Sequence, residues 1–155
     1  MAPEWNQRSA NFGEAGDMVF AGMNYAAVFA AAVAGFLFGG VYYGVLSNAW
    51  LAAIGKSKED IEKTGMAVPL IVTAISLLLM AWVLAGIIGH LGAGQVTLKS
   101  GVISGFMCWL GFVATTISTN HAYQGARGSL TVIDTGYWLG VLLIEGAVIG
   151  WMGVK

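Results

Sequence analysis

Tyr25-AAVFAAAVAGFLFGGVYY-Gly44 lies within a longer run, Met18 to Gly55, that holds no Asp, Glu, Lys or Arg. Crossing the hydrocarbon core of a bilayer takes about 20 apolar residues of helix, and a soluble helix has no use for so long an uncharged stretch. The run therefore reads as a membrane-spanning helix from about Met23 to Leu46. Asn24 and Tyr25 mark one interface, and Tyr42, Tyr43 and Trp50 the other, where amphipathic rings settle. Within it Ala27, Ala31, Gly35 and Gly39 recur at every fourth position, and Gly40 and Gly44 repeat the spacing. One helix face is thus nearly flat, which lets a second helix approach closely.

Three more apolar stretches follow, giving spans at about 67–90, 101–120 and 133–152. Pro69 falls in the first turn of the second span, where a missing N–H costs little. The fourth carries two small-residue pairs, Gly136/Gly140 and Gly146/Gly150. Between the first two spans, Ser57 followed by Asp60 has the form of a helix capping box, so Lys58-EDIE-Lys63 is expected to be a short helix at the membrane surface. The string GHLGAG, at 89–94, has glycines without the strand-then-helix context that phosphate binding needs, and reads as a turn.

Composition agrees with this reading. Hydrophobic residues make up 57% and charged residues 10% of the chain, too few polar groups to cover a water-facing surface. The expected fold is an all-α, integral-membrane four-helix bundle in one domain, residues 21–155, with both termini on the same side. It is preceded by a polar tail, residues 1–20, which lacks the basic start and short apolar core of a signal peptide and is expected to be retained. Lys56, Lys58, Lys63 and Arg127 fall on the connector side against Arg8, Lys99 and Lys155 on the terminal side, which leans the termini away from the cytoplasm. A net charge of −1 without a basic cluster argues against nucleic acid, and the single cysteine, Cys108, builds neither a disulfide framework nor a thiolate cage.

Four segments taken together resemble one known family: Asn24-Tyr25 with the alanine-rich span and its Gly-Gly-Val-Tyr-Tyr-Gly, Ala49-WLAAIGKSKED-Ile61, Asn120-HAYQGAR-Gly128, and Asp134-TGYWL-Gly140. In combination they are similar to the DUF1761 family of small bacterial membrane proteins. The resemblance covers nearly the whole chain after its first 20 residues. It implies a four-helix membrane protein from a bacterium, expected in the inner membrane, and, the family being of unknown function, supplies no catalytic residues.

What chemistry there is starts from Glu145, an acid inside an apolar span. Such groups are functional candidates, because an ionised, unpaired acid in hydrocarbon is costly and the neutral form is expected there. Counting equal depths on the other spans brings up Trp82, and Cys108 or Trp109, as neighbours, with Ser104 one turn away; an indole N–H would serve as donor. At the connector side, Asn120, His121, Arg127 and Asp134 are expected to form an interfacial polar cluster, with an Arg127–Asp134 ion pair tying the last two spans. His90 and His121 end neighbouring antiparallel spans on opposite membrane faces and lack helical metal-site spacing, so neither a metal nor any other cofactor is expected. The His121–Asp134 face has no nucleophile elbow, and no catalytic residue is assigned.

The reading that follows is of a non-enzymatic membrane protein whose partners are the bilayer and either further copies of itself or other membrane subunits. It would associate through small-residue faces such as Gly35/Gly39 and Gly136/Gly140. The alternative is a proton or small-solute transporter or channel using Glu145.

Overall fold

The computed structural model describes residues 22–153, and the polar tail lies outside them. Four helices are long and apolar enough to cross a membrane: α1, Tyr25–Ile54; α3, Ala67–Gly89; α4, Leu98–Tyr123; and α5, Gly128–Met152. A fifth, α2, Lys58–Thr64, joins α1 to α3. Among the described residues there is no strand, so the chain is an all-α four-helix membrane bundle.

α1 has 30 residues and so runs about 45 Å, well beyond a hydrocarbon core of about 30 Å. Asn24 caps it by accepting from the Ala27 N–H at 3.2 Å, and Gly55, at φ 69°, ends it in a left-handed turn. The span expected at 23–46 therefore stops too early. Ser47 and Asn48 look like a boundary in composition, but Ser47 folds its hydroxyl onto the Gly44 carbonyl and the helix continues. The capping box at Ser57 and Asp60 forms as expected and starts α2. The Ser57 N–H and hydroxyl both donate to Asp60 and hold its carboxyl below the usual carboxylate range.

α4 begins with a second capping box, Thr97 with Ser100, which carries its start upstream of the expected Gly101. Its course is not uniform. Leu98–Cys108 and Thr115–Tyr123 are α-helical, and Trp109–Ala114 between them is π-helical. α5 starts at Gly128 rather than near Ile133, directly after the turn that ends α4.

α5 is the hub, packing against each of the other three spans. Against α4 the backbones touch. A Cβ on Gly101 would fall on the Gly146 carbonyl, one on Gly105 on the Leu142 carbonyl, and one on Gly150 on the Thr97 carbonyl. Against α1 the contact is knob into notch: Gly140 leaves room for the Phe38 ring, and a Cβ on Gly136 would lie 2.7 Å from the Tyr42 hydroxyl. Ala31, Leu77, Ala81, Leu84, Ile88, Val141 and Ile149 fill the centre. The outer surface carries Leu37, Val41, Val68, Ile75, Phe112 and Trp151, a covering suited to lipid.

Candidate functional site

Glu145 is 0% exposed, and neither carboxyl oxygen has a hydrogen-bond partner among the described residues. Around it stand Gly35 of α1, where a Cβ would lie 3.5 Å from Oε1, and two apolar side chains that meet the same point, Leu77 of α3 and Val141 of α5. Gly35 is ten residues into α1, about 15 Å, and Glu145 is seven residues from the end of α5, about 10 Å, so the carboxyl lies inside the span on its terminal side. A carboxylate could not be held there without several kcal/mol of uncompensated desolvation.

The neighbours expected from depth are not the neighbours found. Trp82 is 41% exposed on the lipid face of α3, because the inward stripe of that helix is Leu77, Ala81, Leu84 and Ile88. Ser104 is half-buried on α4 and makes no hydrogen bond to Glu145. α4 packs on the Leu142–Gly146–Gly150 stripe of α5, whereas Glu145 points towards α1 and α3. Equal depth fixes height along the membrane normal and says nothing of rotation about the helix axis.

Nearer the connector side lies a second polar group. The Tyr43 hydroxyl donates to Asp134 Oδ1 at 3.1 Å, His121 Nε2 stands 3.8 Å from Asp134 Oδ2, and His121 Nδ1 is hydrogen-bonded to Thr131 Oγ1 at 3.0 Å. The Tyr42 hydroxyl donates to the Ile133 carbonyl at 3.0 Å, and Trp109 Nε1 to the Thr135 carbonyl at 2.8 Å. Tyr137 lies against this group, its ring centroid 5.0 Å from that of Tyr43 and 4.8 Å from that of Trp138. A Cβ on Gly39 would sit 3.1 Å from the Tyr137 hydroxyl.

His121 and Asp134 thus come together, but Arg127 and Asn120 do not join them. Arg127 donates to the Ala52 carbonyl near the end of α1, and the expected Arg127–Asp134 pair does not form. The physical reason is position. Arg127 immediately precedes α5 and reaches the carbonyls at the C-terminal end of α1, which carry partial negative charge. Asp134 lies two turns deeper, about 10 Å along the axis. Asn120 is exposed, away from the cluster. The glycines also serve this chain: Gly35 and Gly39 receive Glu145 and Tyr137, and Gly136 and Gly140 receive Tyr42 and Phe38.

Asp134, Tyr137, Val141 and Glu145 share one face of α5, at steps of three and four, and Gly35 and Gly39 oppose them one turn apart on α1. The tyrosines of this line escaped the sequence reading, which placed Tyr42 and Tyr43 in an interfacial belt. The signal that marks them is that periodicity on α5, read together with glycines rather than bulky side chains opposite. Among the described residues, no group of three His, Cys, Asp or Glu side chains gathers to hold a metal ion.

Comparison with curated proteins and with solved structures gives no match. A family model described as "Protein of unknown function (DUF1761)" matches residues 26–150, and the chain belongs to that family.

Proposed function

We propose that this protein is a non-enzymatic, multi-pass component of a bacterial inner membrane that moves protons by way of Glu145, with both termini outside the cytoplasm. The observation that carries the reading is the buried, unpartnered carboxyl at the centre of the bundle. A staple between helices would show hydrogen bonds, and a contact to another subunit would show exposure; Glu145 has neither. Among small cations the proton suits the site. A metal ion needs several oxygens to replace its hydration shell, whereas the carboxyl is met by Gly35, Leu77 and Val141.

Asp134, Tyr43 and Tyr137 supply groups that accept and donate protons on the connector side of Glu145. On the terminal side the buried side chains are apolar, Ala27, Ala31, Leu84, Ile88 and Ile149 among them, up to Asn24 at the start of α1. Protons therefore reach the acid from the connector face, and release to the other face requires the α1–α3–α5 seam to part.

The test uses purified protein in proteoliposomes with an internal pH dye and a potassium gradient clamped by an ionophore. Wild-type protein should shift internal pH, and Glu145→Gln, which keeps shape but not acidity, should fall to the rate of empty liposomes. A wild-type rate no faster than that of empty liposomes overturns the reading.

A separate observation favours association with another membrane subunit or a second copy. Gly40 and Gly44 face outward, and a Cβ on either would have no neighbour within 4 Å. Gly44→Leu should then lower the mass of the complex extracted in mild detergent.

A further inference from the structure

We infer that the connector-side half of α4 is a hinged gate over the Asp134–Tyr43–Tyr137 line, latched by His121. The two halves of α4 are held in very different ways. In Leu98–Cys108, Gly101 and Gly105 are buried with their backbones against those of Gly146 and Leu142, a contact with no side chain between to yield. In Thr115–Tyr123 no residue is buried. Packing therefore fixes the first half closely to α5, holds the second more loosely, and leaves it to other restraints besides.

Those restraints are few and polar. His121 meets Asp134 and Thr131, and this is the side-chain attachment of the Thr115–Tyr123 half to α5 among the described hydrogen bonds and ion pairs. The next attachment below is Trp109 on the Thr135 carbonyl, at the first residue of the π-helical turn. Above the latch, Gly125 at φ 64° reverses the chain, with the Ala126 N–H bonded to the His121 carbonyl and the Gly125 N–H to that of Ala122. Arg127 then ties the connector to α1 rather than to α4. A half-helix with a pivot below, a turn above and a single polar latch is the result.

The π-helical turn is suited to the lower pivot. Widened turns interrupt the regular i to i−4 ladder and are places where helices kink. Here the Thr115 N–H turns to the Phe112 carbonyl, and the Thr115 hydroxyl donates to the Gly111 carbonyl at 2.8 Å. The helix thus has a substitute bond at the point where its own ladder shifts. Its outward neighbours, Gly111 and Phe112, are exposed to lipid and do not brace it.

With the latch closed, His121 and Asp134 side chains are 15% and 22% exposed. Releasing His121 frees the half-helix to tilt about Trp109–Ala114 and uncover Asp134. What the opening admits rests on the proton reading; the hinge itself does not.

Spin-label distances test the gate in the full-length protein, reconstituted in lipid, with Cys108→Ser removing the native thiol. One pair, Ser118→Cys with Ile75→Cys, spans the connector-side half of α4 and α3. A second, Ile103→Cys with Ile75→Cys, spans the other half of α4 and the same α3 position; all three residues are exposed. Adding His121→Leu should lengthen or broaden the first distance by a few ångström, leaving the second narrow and unmoved. An unmoved first pair overturns the gate, and so does a shift of both pairs together, which would mean general loosening. Movement of the first pair alone in a protein that passes no protons would retain the gate and discard the proton reading.

Discussion

At the scale of single residues, Glu145 and the glycines make opposite demands on substitution. Because the carboxyl has no partner among the described residues, it costs stability where it stands; a neutral buried polar group without a hydrogen bond costs about 1–3 kcal/mol. Glu145→Leu should therefore raise the thermal midpoint in detergent while abolishing proton movement, and Glu145→Gln should leave the midpoint near its wild-type value. A lower midpoint for the Leu variant would mean that the acid is bonded after all. Gly101 and Gly146 stand at the other extreme. A Cβ on either meets a backbone carbonyl of the facing helix, so Gly146→Ala should destabilise by about 1–3 kcal/mol or more. Gly40→Ala, with open space around it and helix propensity in its favour, should be neutral or gain about 0.5–1 kcal/mol. Ranking the two variants in one thermal-shift series checks the contrast. Small-residue spacing alone does not separate these cases, since Gly40/Gly44 and Gly146/Gly150 have the same form in the sequence.

At the scale of elements, the hydropathy of the chain located all four spans because the bilayer imposes a length, and Asp60 with Ser57 located α2 because a capping box is local chemistry. What the sequence did not disclose were ends and faces. α1 runs on past Ser47 because a hydroxyl can bond back onto its own helix, and α5 begins at Gly128, ahead of its apolar stretch. Trp82 was misplaced because depth does not encode rotation, and the π-helical turn in α4 has no marker in its run of apolar residues. α2 allows a pH prediction with a definite sign. Ser57 lowers the Asp60 carboxyl in the folded helix, so the stabilisation from this cap is complete above the unfolded value of about 4 and is lost as pH falls through the lower folded value. Protection factors against hydrogen exchange at Ile61 and Gly65, whose N–H groups bond within α2 and its cap, should fall on acidification below pH 4. Asp60→Asn should remove that fall. Exchange with the same acid dependence in both forms would assign the effect to another group.

At the scale of the whole molecule, the bundle joins a closed terminal half to a polar connector half, and its topology decides which compartment each half meets. Four spans return the chain to its starting side, and one contact agrees: the Asn24 side chain, just before α1, lies 3.5 Å from the carbonyl of Met152 at the end of α5. Both ends of the described chain therefore stand on one face, opposite α2 and the Gly125 turn. The proposed sidedness rests on charge, since basic residues beside short loops are retained in the cytoplasm. Lys56, Lys58 and Lys63 flank or lie in α2, and Arg127 follows the Gly125 turn, against Lys99 beside the α3–α4 connector and Arg8 and Lys155 on the terminal side. The proposed orientation turns the connector half, with Asp134 and His121, to the cytoplasm and the dry half around Ile88 and Ile149 to the outside. Cysteines at Glu59 and Gly94, each exposed, report the two faces separately once Cys108→Ser is in place. In intact cells with a permeable outer boundary, a membrane-impermeant maleimide should label the Gly94→Cys protein and spare the Glu59→Cys protein until the inner membrane is broken. The reverse pattern would turn the bundle over and make the outside the source of protons for Glu145, and labelling of both in intact cells would contradict the four-span topology itself.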